Sequence, residues 1–177
     1  MLEKYDGDEF VCFDCETTGL NPKVDDIISI GAIKIKGSEI LLSQKFEVLI
    51  KAKNNLDQES IKIHQIRVCD LEYGKDIDEA IDKFLEFIGN RTLVGYNIEF
   101  DVAMVNKYIK PKIGINLPNK KIEVSRIYYD KKNGSMPYGA LDISFNAIMK
   151  NLDLPMMGKH DAINDAIMTA MIFLKLR

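Results

Sequence analysis

Phe10-Val11-Cys12-Phe13-Asp14-Cys15-Glu16 is a run of aromatic, aliphatic and thiol side chains that ends in two acids. Side chains of this kind favour a pleated, half-buried backbone, so the run reads as a β-strand. Alternation along a strand puts Phe10, Cys12, Asp14 and Glu16 on one face. Asp14 and Glu16 then stand roughly 7 Å apart at Cα, both at the strand's C-terminal end. Like charges so placed repel unless cations or a hydrogen-bonding loop hold them. The same alternation sends Cys12 and Cys15 to opposite faces, so their C-x-x-C reads as two core-filling thiols rather than a redox pair. With Cys69 the thiol count is odd, and the charged start Met1–Phe10 has no apolar leader, which predicts reduced thiols in a cytoplasmic protein.

Outward from this strand, turn signals at Gly19-Leu20-Asn21-Pro22 and Gly37-Ser38 set off two more, over Ile27–Lys36 and Leu41–Ile50. The spacing suits an antiparallel meander. A short helix is expected over Asp57–His64. Asp76 and Glu79 make a D-x-x-E capping box ahead of Ile77, Ala80, Ile81, Phe84, Leu85 and Ile88 at helical spacing, and Gly89 stops that helix. A short strand at Thr92–Gly95 leads to a helix from Ile98 to Ile109. Lys121–Tyr129 reads as a strand passing into a helical turn, and helices over Leu141–Asn151 and Ala162–Lys175 follow. Three strands and then alternating helix and strand predict an α/β fold with a mixed sheet covered on both faces. The 177 residues are expected to form a single domain, 1–177. Its longest charge-free apolar run, Ala166–Leu174, is about half the roughly 20 residues that span a membrane.

Acids recur where apolar residues are expected. Asp101 shares a helical stripe with Met104, Val105 and Tyr108, and Asn97 stands as the N-cap of that helix. In the last helix Ile163, Ile167, Ala170, Met171 and Leu174 make the main stripe. Asp165 lies nearly opposite, yet Met168 and Ile172 beside it are apolar, so it too is drawn toward packed surroundings. His160 stands just ahead of that helix. Each feature alone is common in solvated strand and helix ends. Together they place four carboxylates and a histidine, from three elements, near one sheet edge. Hard oxygen ligands in that number suit Mg²⁺ or Mn²⁺, and two histidines are too few for a tetrahedral zinc site. Paired divalent ions between carboxylates serve phosphoryl transfer, and a histidine with a pKa near 6.5 can take a proton from water. The net charge of −3 argues against a broad grip on duplex phosphates, so any nucleic acid must be held locally.

Three segments carry a family resemblance. FDCETTGL (Phe13–Leu20), VGYNIEFD (Val94–Asp101) and HDAINDA (His160–Ala166) resemble, in order and spacing, the three motifs of the DEDDh 3′–5′ exonucleases. The likeness is greatest to the DnaQ-like group, which includes the epsilon proofreading subunit of bacterial DNA polymerase III, and it runs from about Phe10 to Leu176. It implies a ribonuclease H-like fold with a five-stranded mixed sheet flanked by helices. It implies two divalent ions, Mg²⁺ or Mn²⁺, on Asp14, Glu16, Asp101 and Asp165, with His160 as general base. Thr17, Thr18 and Leu20 match positions that meet the terminal nucleotide, His64 matches one that abuts the terminal base or else is a structural histidine, and Asn97 matches one that shapes the substrate-side loop near Asp101. Gln65 after His64, and Glu123 where many relatives have Asp-Thr, depart from the pattern.

The implied reaction is hydrolysis of the last phosphodiester at a single-stranded 3′ end, DNA favoured over RNA, with a DNA polymerase as an expected partner and no membrane association. An RNA-trimming, oligoribonuclease-like enzyme is the alternative within the class. A non-catalytic nucleic-acid-binding subunit is the alternative outside it. The segment Lys110–Lys132, with Tyr128, Tyr129 and Tyr138 in or near it, is either an added nucleic-acid grip or a solvated loop over core tyrosines.

Overall fold

A computed structural model describes residues 7–51, 61, 64–132, 141–158 and 160–177 of the chain. The acid-tipped run forms β1, Glu9–Thr17, and so carries both Asp14 and Glu16 inside the strand. It is the middle strand of a five-stranded sheet ordered β3-β2-β1-β4-β5. β2 (Ile27–Lys36) and β3 (Glu39–Leu49) make the expected antiparallel meander. β4 (Thr92–Gly95) and β5 (Lys121–Glu123) join on the other side in parallel. This is the mixed α/β sheet anticipated for a ribonuclease H-like fold.

Six helices are described: α1 (Val68–Leu71), α2 (Ile77–Ile88), α3 (Ile98–Ile113), α4 (Val124–Lys132), α5 (Phe145–Asn151) and α6 (Ala162–Lys175). α2 and α3 cover one face of the sheet, packing Phe84, Met104 and Val105 on Val11, Phe13 and Cys15. α4, α5 and α6 cover the other, with Tyr128, Met149 and Ala170 over Cys12, Ile33 and Val94. A central strand covered on both sides reads as a nearly continuous apolar run, as β1 does. Cys12 and Cys15 fill opposite faces as buried, unbridged thiols. No helix among the described residues is long and apolar enough to cross a membrane.

Local chemistry moved several boundaries. The helix expected over Asp57–His64 lies outside the described residues apart from Ile61 and His64. The capping box of α2 is half made: Asp76 accepts the Asp78 N–H at 2.9 Å, but Glu79 turns outward to Lys75 and Lys83. α3 continues past Ile109, through Pro111, to Ile113. Proline there removes only the bond to the Lys107 carbonyl, and left-handed Gly114 (φ 77°) ends the helix by donating to the Lys110 carbonyl. α5 starts at Phe145 rather than Leu141, because the Asp142 carboxylate holds the Ser144 N–H at 2.8 Å in a turn.

The stripe that the sequence of α6 suggests is buried only in part. Ile163 and Ala170 are buried, but Ile167, Met171 and Leu174 are only partly so, and Ala166, Met168 and Ile172 beside the stripe are fully buried. The reason is where the helix sits. A Cβ on Gly31 of β2 would overlap the backbone of Ala162 and Ile163, so the first turn of α6 rests directly on the sheet. Gly31 is also the register partner of Asp14, which brings that turn down beside the acidic end of β1.

Gly31→Ala is therefore expected to lift α6 and destabilise the fold by about 3 kcal/mol or more. Thermal melting followed by circular dichroism checks this, and an unchanged melting temperature would show that the seat is slack.

Candidate active site

Four carboxylates reach one place from three directions. β1 supplies Asp14 and Glu16, the first turn of α3 supplies Asp101, and the first turn of α6 supplies Asp165. All four, with His160, line a single cavity of about 340 Å³. A second cavity of about 290 Å³ adjoins it and shares Asp14, Tyr96, His160 and Asp165. Ligand atoms of Glu16, His160 and Asp165 lie within 4.8 Å of one another. His160 takes the left-handed conformation (φ 55°), immediately before Asp161 caps α6 by accepting the Ile163 N–H at 3.2 Å.

Asp101 is 3% exposed, and its Oδ1 accepts the Cys15 N–H at 3.0 Å, which ties α3 to the end of β1. Desolvation raises its pKa well above the ordinary value, with Glu16 and Glu123 adding to the rise, and the backbone N–H groups of Cys15 and of Asp101 itself only partly offset it. Asp14 is likewise pushed up, first by desolvation and then by Asp101, Glu16 and Asp165. Burial, with Asp165 and Asp161 nearby, carries Glu16 from 4.5 to about 7. Among the described residues, no lysine or arginine is an influence on any of the three. Crowded, desolvated carboxylates are a donor set that fits hard divalent cations.

The residues expected near the terminal nucleotide divide into two groups. Thr17, Leu20, His64 and Asn97 line the larger cavity. Leu20 is 87% exposed at its rim. His64 is buried. Its Nδ1 accepts the Ile66 N–H at 3.1 Å, so the proton belongs on Nε2, which has no hydrogen-bond partner among the described residues. Burial lowers its pKa, with help from His160, so the neutral donor form is favoured. Thr18 stands apart from these four. It is buried, and its hydroxyl faces into its own loop, accepting the Asp26 N–H at 3.0 Å and contacting the Asp25 carboxylate.

Asn97 requires a correction. It is left-handed (φ 58°), and its side chain does not cap α3. Glu123, at the end of β5, does so instead. Its Oε2 accepts the Ile98 N–H at 3.0 Å, while its Oε1 accepts the Ser125 N–H and Oγ–H at the start of α4. One carboxylate thus satisfies orphan donors of two helices. Its signal in the sequence was an acid at the end of a strand, but its partner was 25 residues away. Phe100 and Tyr96 also line the cavity without having been singled out.

The basic segment does not gather at this site. Lys112 pairs with Asp78 and Asp82, and Lys121 pairs with Glu99 at 2.6 Å. Tyr128 is buried, its hydroxyl accepting from Asn151, and Tyr138 lies outside the described residues. The solvated-loop reading fits what is seen.

The profile of the exonuclease family RNase_T matches residues 11–173. The PolC-type DNA polymerase III of Clostridium perfringens is 34% identical over 174 residues, which are 96% of this chain but only 11% of that polymerase. The DNA polymerase III subunit epsilon of Aquifex aeolicus is 28% identical over 167 residues, covering 94% of this chain and 79% of that subunit. Among solved structures, E. coli exonuclease I in complex with a dT13 oligonucleotide superposes with a TM-score of 0.78 at 15% identity, over 94% of this chain and 40% of that one. The chain thus spans about a tenth of the PolC-type proteins that it matches.

The carboxylate environment sets a pH dependence. A carboxyl raised in the folded state stabilises the protein below its unfolded pKa, and that stability is lost as pH rises through the folded value. For Glu16 the window runs from 4.5 to about 7, and Asp14 and Asp101 shift in the same direction. In chelator the melting temperature is expected to fall from pH 5 to pH 8, Glu16 alone contributing of order 3 kcal/mol. Mg²⁺ or Mn²⁺ should restore more at pH 8 than at pH 5, and Glu16→Gln should flatten the fall. A chelated protein equally stable across that range would contradict this electrostatic picture.

Proposed function

Since the chain belongs to the RNase_T exonuclease family and to its DnaQ-like 3′–5′ group, we propose that it is a metal-dependent exonuclease, a single domain over 1–177, that removes nucleoside 5′-monophosphates from single-stranded DNA 3′ ends. The observation that carries this reading is the convergence of Asp14, Glu16, Asp101, Asp165 and His160 on one cavity. The DNA preference is supported by the relatives, which are named as DNA polymerase III proteins, and by the dT13 bound to exonuclease I. A proofreading or repair role beside a polymerase rests on the same relatives.

In this reading Asp14, Glu16, Asp101 and Asp165 would hold two divalent ions, Mg²⁺ or Mn²⁺. When bound, such ions polarise the phosphate and lower the pKa of a coordinated water. His160 accepts the proton of the attacking water on its imidazole as oxygen adds to the terminal phosphorus. The bond to the 3′ oxygen of the preceding nucleotide breaks, that oxygen takes a proton from solvent water to leave as a hydroxyl, and the proton on His160 returns to solvent. The Cys15 N–H keeps Asp101 oriented, and Glu123 fixes the helix that carries it. His64 lines the same cavity as Leu20 and Phe100, and its Nε2–H, unpaired among the described residues, is the donor it would bring toward a terminal nucleotide.

A 5′-labelled single strand incubated with Mg²⁺ or Mn²⁺ should shorten stepwise from its 3′ end. Asp14→Ala should lower the rate by at least about a thousandfold, and His160→Ala by about 10²–10⁴-fold. Matched DNA and RNA strands, run side by side, read out the sugar preference. Undiminished cleavage in excess chelator, or by the Asp14→Ala protein, would refute the assignment.

A further inference from the structure

The loop after β1 is closed by its own side chains. Thr18 N–H donates to the Asp26 carbonyl at 2.9 Å, and Asp26 N–H returns a bond to the Thr18 hydroxyl at 3.0 Å. Inside, the Asp25 carboxylate accepts the Asn21 N–H at 2.7 Å and fills the space that a Cβ on Gly19 would need. This loop presents Thr17 and Leu20 to the larger cavity.

Its far end is held from outside by α3. Lys107 Nζ donates to the Asp25 carbonyl at 2.7 Å and to Asp26 Oδ1 at 2.9 Å. Tyr108 Oη donates to that same Oδ1 at 2.9 Å. The Asp26 and Lys107 side chains are only 13% and 26% exposed, so the pair is largely withdrawn from solvent. A largely buried charge pair with added hydrogen bonds fixes geometry far more firmly than an exposed one. Lys107 and Tyr108 stand on the same helix as Asp101, about two turns further along. The helix that delivers a carboxylate to the site therefore also grips the loop that faces the terminal nucleotide.

We propose that Lys107 and Tyr108, acting through Asp26, are positioning residues that set the Thr17–Leu20 wall of the nucleotide pocket relative to Asp101. This rests on the exonuclease reading for what occupies the pocket. None of the three lines the cavity, so their effect falls on how well the 3′ nucleotide is seated rather than on the chemistry of hydrolysis.

The test compares Lys107→Met, which keeps the apolar stem, with Lys107→Arg and the milder Tyr108→Phe. Steady-state kinetics on a 5′-labelled single strand, amide hydrogen exchange and thermal melting are measured on the full chain. Lys107→Met should raise KM about tenfold with kcat within about twofold, and Tyr108→Phe should raise KM about threefold. Lys107→Arg should recover most of the loss. Exchange at Thr18 and Asp26 should quicken at least about tenfold in Lys107→Met, with the amides of β1 unchanged. An unchanged KM in both Lys107→Met and Tyr108→Phe would overturn the proposal, as would a fall in kcat at constant KM. If Lys107→Met melts too low to assay, Tyr108→Phe decides. A wild-type chain that cuts no strand would sink the nuclease reading, and loop exchange alone then decides whether the brace exists.

Discussion

The first turn of α6 lies directly on β2, because Gly31 offers no side chain to hold it away. Much of the molecule depends on that contact. It brings Asp165 and His160 alongside Asp14, whose register partner is Gly31 itself. It also determines which side of α6 is buried, and so the packing of the sheet face shared with α4 and α5. A helix raised by one methyl group would still cover the sheet, but would no longer deliver its acid to the same cavity.

The opposing force is electrostatic. Carboxylates in a desolvated cleft repel, and their raised pKa values measure the stability that the fold gives up to keep them there. The apolar cores on both faces of the sheet supply what offsets it. Hydrogen bonds then fix directions that packing leaves loose. Cys15 N–H holds Asp101, Glu123 caps the helix behind it, and Lys107 ties that helix to the loop beyond β1. The cluster is strained in charge but braced in geometry.

Where the sequence was readable, the physics was local. Alternation along Phe10–Glu16 put both acids on one face and separated the two thiols. Helical spacing placed Asp101 among Met104 and Val105, and it is buried with them. Where reading fell short, a distant partner had intervened. Asn97 is a fair N-cap by type, yet its left-handed backbone leaves the capping to Glu123. Thr18 sits in a motif next to the pocket, but Asp25 and Asp26 claim its hydroxyl. Of the apolar stripe of α6, Ile163 and Ala170 are buried as expected, whereas close approach at Gly31 favours Ala166 over Ile167 and Met171.

The sequence by itself determined the order of strands and helices, the faces of β1 and the acids that stand out of place. Those follow from backbone periodicity and side-chain type, which act within a few residues. Only the tertiary structure decided how these acids share one cavity, that Glu123 caps two helices and that Lys107 reaches back to the Thr18–Asp26 loop. Such contacts join residues 25 to more than 80 positions apart. They form only once the sheet order and the seat of α6 have set the distances, because a hydrogen bond needs its partner within about 3 Å and no local pattern encodes that.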